Sequence, residues 1–154
     1  MKEPLVSCIL KYALYAVFAL GVVGVITLPF MLDTYIRFTD DMYFFQPDSH
    51  YRAFILFFLT AAALASLWVV LEMIFMLRSI PKGPFVRRNV RALNRCGVIF
   101  LVLAAAFCVK CVAFPTLLTV VCGLIFLGGG LFAFTLAALF RQAVVFREEN
   151  DLTI

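Results

Sequence analysis

Three groups of side chains in this sequence are of types that do chemistry. Cys108 and Cys111 make a Cys-x-x-Cys pair, with Cys122 further along the chain, and thiols so spaced suit thiol–disulfide exchange. Glu72 is the one carboxylate inside a long apolar run. An ionisable group is costly to keep in hydrocarbon, which makes it a candidate for gating, proton transfer or ligand binding. His50 shares a polar segment with Asp33, Asp40, Asp41 and Asp48, a mixture suited to holding a cation or responding to pH.

Each group also has a structural reading. Cysteines are small, soft and readily buried, and five of them, an odd number, make no disulfide framework. Glu72 lies six residues before Arg78, about 9 Å along a helix, so it can meet Arg78, Lys82 or Arg141 in an ion pair. Asp40 and Asp41 lack the ligand spacing of a known cation loop and read as solvated loop acids. His-Glu-x-x-His, Gly-x-Ser-x-Gly and phosphate-loop patterns do not occur. The expectation is a protein that is not an enzyme, with no catalytic, cofactor-binding or metal-ligating residues.

The elements that carry these residues follow from composition. A chain that is 65% hydrophobic and 14% charged cannot cover a soluble surface, so lipid is its main solvent. In hydrocarbon the backbone must satisfy its own hydrogen bonds, and long unbroken apolar runs select helices over a barrel. Four spans are expected, over residues 12–32, 53–77, 98–115 and 116–140, each long enough to cross about 30 Å. The first is too long for a signal-peptide core and no small-residue cleavage site follows it. Pro29 sits in its last turn, where it can kink or end the helix. Residues 33–52 read as an outer loop, with aromatic residues such as Tyr51 at headgroup level. A tight turn at Phe114, Pro115 and Thr116 folds the third and fourth spans into a hairpin, and Lys110 near it is expected to snorkel to water. Gly123, Gly128, Gly129 and Gly130 permit close helix packing or a local kink in the fourth span.

Residues 78–97 contain six basic side chains and no acid. Within them Val86, Val90 and Leu93 recur at helical spacing, with Arg87, Arg88, Arg91 and Arg95 in the other positions. This predicts a short amphipathic helix lying on anionic lipid headgroups, ended by Gly97. Ten basic residues fall on this side of the bilayer and three (Arg37, Arg52, Lys110) on the other, so both termini, with the tail 141–154, are expected in the cytoplasm. The expected fold class is therefore an all-α membrane protein. It is a single-domain four-transmembrane-helix bundle with a short cytoplasmic amphipathic helix between spans two and three. Basic residues beside apolar spans point to the lipid bilayer as partner, not to direct nucleic-acid binding.

Two stretches carry a family likeness. Lys82 to Gly97, K-G-P-F-V-R-R-N-V-R-A-L-N-R-C-G, resembles the G-x-P-F-x-x-x-N-x-x-x-L-x-x-I-G signature of a bacterial membrane family known as domain of unknown function 2975. Gly83, Pro84, Phe85, Asn89, Leu93 and Gly97 match it, and Cys96 stands where an apolar residue is usual. The closing F-R-E-E-N-D-L-T-I resembles that family's C-terminus through Glu149, Asn150, Asp151, Leu152, Thr153 and Ile154. The resemblance implies a small protein of the bacterial cell (inner) membrane, commonly encoded beside a short helix-turn-helix regulator. Because the charge count puts both signatures on the cytoplasmic side, Pro84, Phe85, Asn89, Leu93 and residues 149–154 are candidate docking residues, while the amphipathic pattern puts Arg87, Arg88, Arg91 and Arg95 on lipid headgroups. The expected function is a membrane sensor or anchor docking such a partner. The alternatives are a small-solute transporter or channel formed as a homo-oligomer around Glu72, and a thiol oxidase. The Cys-x-x-Cys hairpin resembles the quinone-linked oxidases of the vitamin K epoxide reductase type, but the long outer loop lacks the second cysteine pair they need.

Overall fold

In the computed structural model, residues 5–43, 49–79, 87–113 and 115–151 are described. They form four helices: α1 (Leu5–Tyr43), α2 (Ser49–Ser79), α3 (Arg87–Ala113) and α4 (Leu117–Asp151). At 1.5 Å per residue they run about 58, 46, 40 and 52 Å, and all four are long and apolar enough to cross a membrane. Each exceeds the roughly 30 Å hydrocarbon layer, so their ends stand in the headgroups or beyond.

The order of packing is serial. α1 packs on α2, α2 on α3 and, most extensively, α3 on α4, while among the described residues α1 and α4 make no close backbone approach. The product is a four-helix bundle of two antiparallel hairpins joined along α2 and α3. Between them, toward the ends that carry Arg78 and Asn89, lies an almost wholly apolar hollow of about 440 Å³, touched by all four helices through Leu14, Met73, Leu93 and Phe132. Large apolar side chains such as Phe30, Phe57, Val112 and Leu131 face outward, the arrangement expected where the surrounding solvent is lipid.

Side-chain size sets the contacts. A column of rings crosses three helices: Phe58 meets Phe107 edge-on at 4.9 Å, and Phe107 meets Phe126 at 5.3 Å. Toward the arginine-rich end, small residues take over. A Cβ on Gly97 would lie 3.0–3.1 Å from the Phe134 ring, and one on Gly130 would lie 3.3 Å from the Gly97 carbonyl oxygen. The two glycines therefore let α3 and α4 approach backbone to side chain.

Several expectations need correction. Gly97 does not break the chain: α3 is continuous from Arg87 into the third span, because Gly97 is held in helix by Phe134. The described part of the amphipathic segment is thus the first three turns of α3 and not a separate helix lying flat. Residues 33–43 and 49–52 are not a surface loop but extensions of α1 and α2; α1 continues past Pro29 and does not end there. They stay helical because Leu32, Ile36, Tyr51 and Ile55 bury one another and Arg52 pairs with Asp33 at 3.0 Å. Tyr51 is accordingly buried in a core between α1 and α2. Finally, Lys110 is only 2% exposed. It turns inward, so it does not snorkel.

Candidate functional site

The start of α3 and the end of α4 meet at one end of the bundle. Arg87 Nε donates to Glu148 Oε1 at 2.9 Å and Nη2 to Oε2 at 2.7 Å. This two-pronged geometry fixes relative position more than it adds stability, since both side chains are largely exposed. Beneath the pair a groove of about 670 Å³ runs between the two helices. Its floor is Val90, Phe134 and Ala137, and its rim is Asn94, Arg141 and Gln142. Phe146, exposed on the last turns of α4, closes one side.

The residues singled out by the sequence divide here. Glu149 is exposed, and Asn150 and Asp151 belong to the last turn of α4. Pro84, Phe85, Leu152, Thr153 and Ile154 lie outside the described residues, as do Lys82 and Gly83. Asn89 is not presented to a partner: it is buried at 3% exposure. Ser79 Oγ stands 2.8 Å from Asn89 Oδ1 and 2.7 Å from the Met76 carbonyl oxygen, and its single proton serves one at a time. Asn89 therefore ties α3 to the end of α2. Leu93 likewise faces inward, onto the apolar hollow.

Glu72 has a partner that the sequence did not single out. Arg95 Nη1 donates to Glu72 Oε1 at 3.0 Å, with Glu72 buried and Arg95 more than half exposed. Arg78, one of the expected partners, instead donates from Nε to the Tyr15 hydroxyl at 2.9 Å, joining α2 to α1. The expectation failed because it took the amphipathic helix to end at Gly97, before the third span. With the helix continuous, Arg95 enters the span at the level of Glu72. The stripe Arg88, Arg91, Arg95, three and four residues apart, was the available signal.

Two polar clusters lie away from this end. Lys110 Nζ donates to Thr119 Oγ1 at 2.8 Å, Thr119 Oγ1 hydrogen-bonds Thr116 Oγ1, and the ammonium sits 5.8 Å from the Phe58 ring centroid. Thr116 also caps α4 by accepting from the Thr119 amide. A lysine facing two threonines across a tight hairpin is legible only once the turn is placed. All five cysteines are free thiols, with Cys96 buried and Cys108 exposed. Among the described residues no three His, Cys, Asp or Glu side chains are grouped to hold a metal. The acids of the 33–52 segment divide: Asp33 is engaged by Arg52, and Asp48 lies outside the described residues.

No family model, curated protein or solved structure matches the chain. The likeness to the domain of unknown function 2975 family rests on the two signatures alone.

Proposed function

We propose that this multi-pass membrane protein is an anchor or sensor whose arginine-rich end faces the cytoplasm and holds a small soluble partner in the groove between α3 and α4. The observation that carries the proposal is the Arg87–Glu148 pair. It sets the two signature stretches side by side above a groove with an apolar floor and a polar rim. The asymmetry of lysine and arginine supports the orientation. An apolar floor with a charged rim suits a folded partner domain, which buries a hydrophobic patch and fixes its register by charge. Following the family resemblance, that partner is a short helix-turn-helix regulator and the membrane is the bacterial cell membrane.

Two experiments test this. Reporter fusions after residue 151 should be active on the cytoplasmic side only. A detergent pulldown with the regulator encoded beside the gene should succeed with the full chain and fail when residues 149–154 are deleted or Phe146 is changed to Glu. Equal capture by these variants and the wild type would remove the proposal.

A further inference from the structure

A second groove, of about 460 Å³, lies between α2 and α3 and differs from the first in its charge. From the arginine-rich end inward, α3 contributes Arg88, Arg91 and Arg95, and α2 contributes Phe75, Glu72 and Trp68. The antiparallel helices set the two series against each other: Arg88 lies over the Phe75 ring at 6.0 Å and Arg95 bonds Glu72. Three guanidinium groups thus share one carboxylate, and that carboxylate is taken by the deepest of them. Among the described residues neither Arg88 nor Arg91 pairs with an acid, and both are exposed. The charge left over is therefore at the outer end of the groove, while its inner end, at the exposed Trp68 and the half-buried Leu71, is apolar.

This gradient matches one class of molecule that the bilayer supplies. We infer that the groove binds an anionic phospholipid, with its phosphate on Arg88 and Arg91 and an acyl chain along Trp68 and Leu71. Guanidinium groups bind phosphate oxygens by paired N–H donors, and basic pockets between helices at the membrane surface are suited to acidic headgroups. Glu72 has a positive role here. By neutralising Arg95 it keeps the deep part of the groove free of net charge, so that hydrocarbon can lie there while the headgroup stays at the rim. The inference needs the membrane-spanning reading but not the docking proposal, whose groove is on the other face of α3.

Trp68 is the only tryptophan in the chain, so its fluorescence reads this groove directly. The full-length protein would be placed in vesicles of phosphatidylcholine containing phosphatidylglycerol or phosphatidylcholine with brominated chains, which quench tryptophan on contact. At equal mole fraction, brominated phosphatidylglycerol should quench more strongly, with a relative affinity of roughly five- to thirty-fold, as one to two arginine contacts predict. In Arg88→Gln/Arg91→Gln the preference should fall to about one, with circular dichroism confirming the fold. Arg88→Lys/Arg91→Lys should retain part of it, and Arg141→Gln/Arg147→Gln, which removes equal charge elsewhere, should retain all of it. Equal quenching by the two lipids in the wild type would overturn the inference. So would equal loss in both glutamine variants, which marks a diffuse surface charge. Competition by millimolar inorganic phosphate that abolishes the preference would show a free-anion site instead. Because no partner protein is present, failure here leaves the pulldown result to stand by itself.

Discussion

The arginine-rich end of the bundle and the turn between α3 and α4 treat charge in opposite ways. At the arginine-rich end the cations keep contact with the surroundings: Arg87 pairs with Glu148 and Arg95 with Glu72, each with an exposed guanidinium, and Arg88 and Arg91 stay exposed on the helix surface. At the α3–α4 turn Lys110 is withdrawn from the surroundings and held by neutral oxygens, Thr119 directly and Thr116 behind it, although Arg52 and Asp33 at the same end of the bundle form an exposed pair. The first arrangement leaves charge available to bind something. The second uses its charge internally, to lock the turn between α3 and α4. An internal hydrogen bond to a charged group cannot be replaced by water in hydrocarbon, so the hairpin end should be the more sensitive to single changes.

The largest effect is expected there. Thr119→Val leaves Nζ without its 2.8 Å acceptor and should lower stability by about 1.5–3 kcal/mol, seen as a fall in the thermal unfolding midpoint in detergent. Lys110→Met in the same background should restore most of the loss, because removing both partners removes the desolvated charge as well. A double variant no better than Thr119→Val would mean that the two regions do not differ in this way.

At the arginine-rich end Arg95→Met strands the Glu72 carboxylate. Since Arg95 is 62% exposed and already screened, the loss should be smaller, about 1 kcal/mol. Glu72→Gln should be milder still and should cancel part of the Arg95→Met loss, giving a measurable coupling in a double-mutant cycle. Because Glu72 carries its own counter-charge, Glu72→Gln should also leave proton flux in proteoliposomes unchanged from empty-vesicle levels; a flux that the substitution abolishes would revive the channel reading.

Gly97→Ala sharpens the comparison on the packing side. Its Cβ would meet the Phe134 ring at 3.0–3.1 Å, so that the ring or the helix would have to give by a few tenths of an ångström. The expected cost is about 1 kcal/mol. A stabilised variant would mean that helix propensity outweighs the contact. The smallest effect is expected for Arg87→Gln, which should leave the unfolding midpoint unchanged while weakening capture of the soluble partner. A shift in stability without a change in capture would reassign the Arg87–Glu148 pair to the fold.

Much of the architecture was legible beforehand from hydrophobicity. Apolar runs bounded by charge place the four helices, and Pro115 with Thr116 places the turn, because lipid leaves an apolar run no alternative to helix and proline no easy place inside one. Charge and glycine misled where a neighbour decided the matter. Residues 33–43 look like a loop by polarity, yet Leu32 and Ile36 find Tyr51 and Ile55 and the helix goes on. Gly97 looks like a break, yet Phe134 packs against it. Cys108 and Cys111 share one helix as their spacing required, while nothing in that spacing foretold that one would be exposed and the other half-buried.

The sequence by itself determined that this is a membrane protein of four helices with its basic residues gathered at one end, since transfer free energies depend on residue type and run length alone. Which charges pair was decided only by tertiary structure. Glu72 took Arg95 over Arg78, and Lys110 took Thr119 over water, because an ion or hydrogen-bonding pair forms between whichever groups a helix contact brings within about 3 Å, and that contact is set by the packing of side chains from different helices, which no single run of sequence specifies.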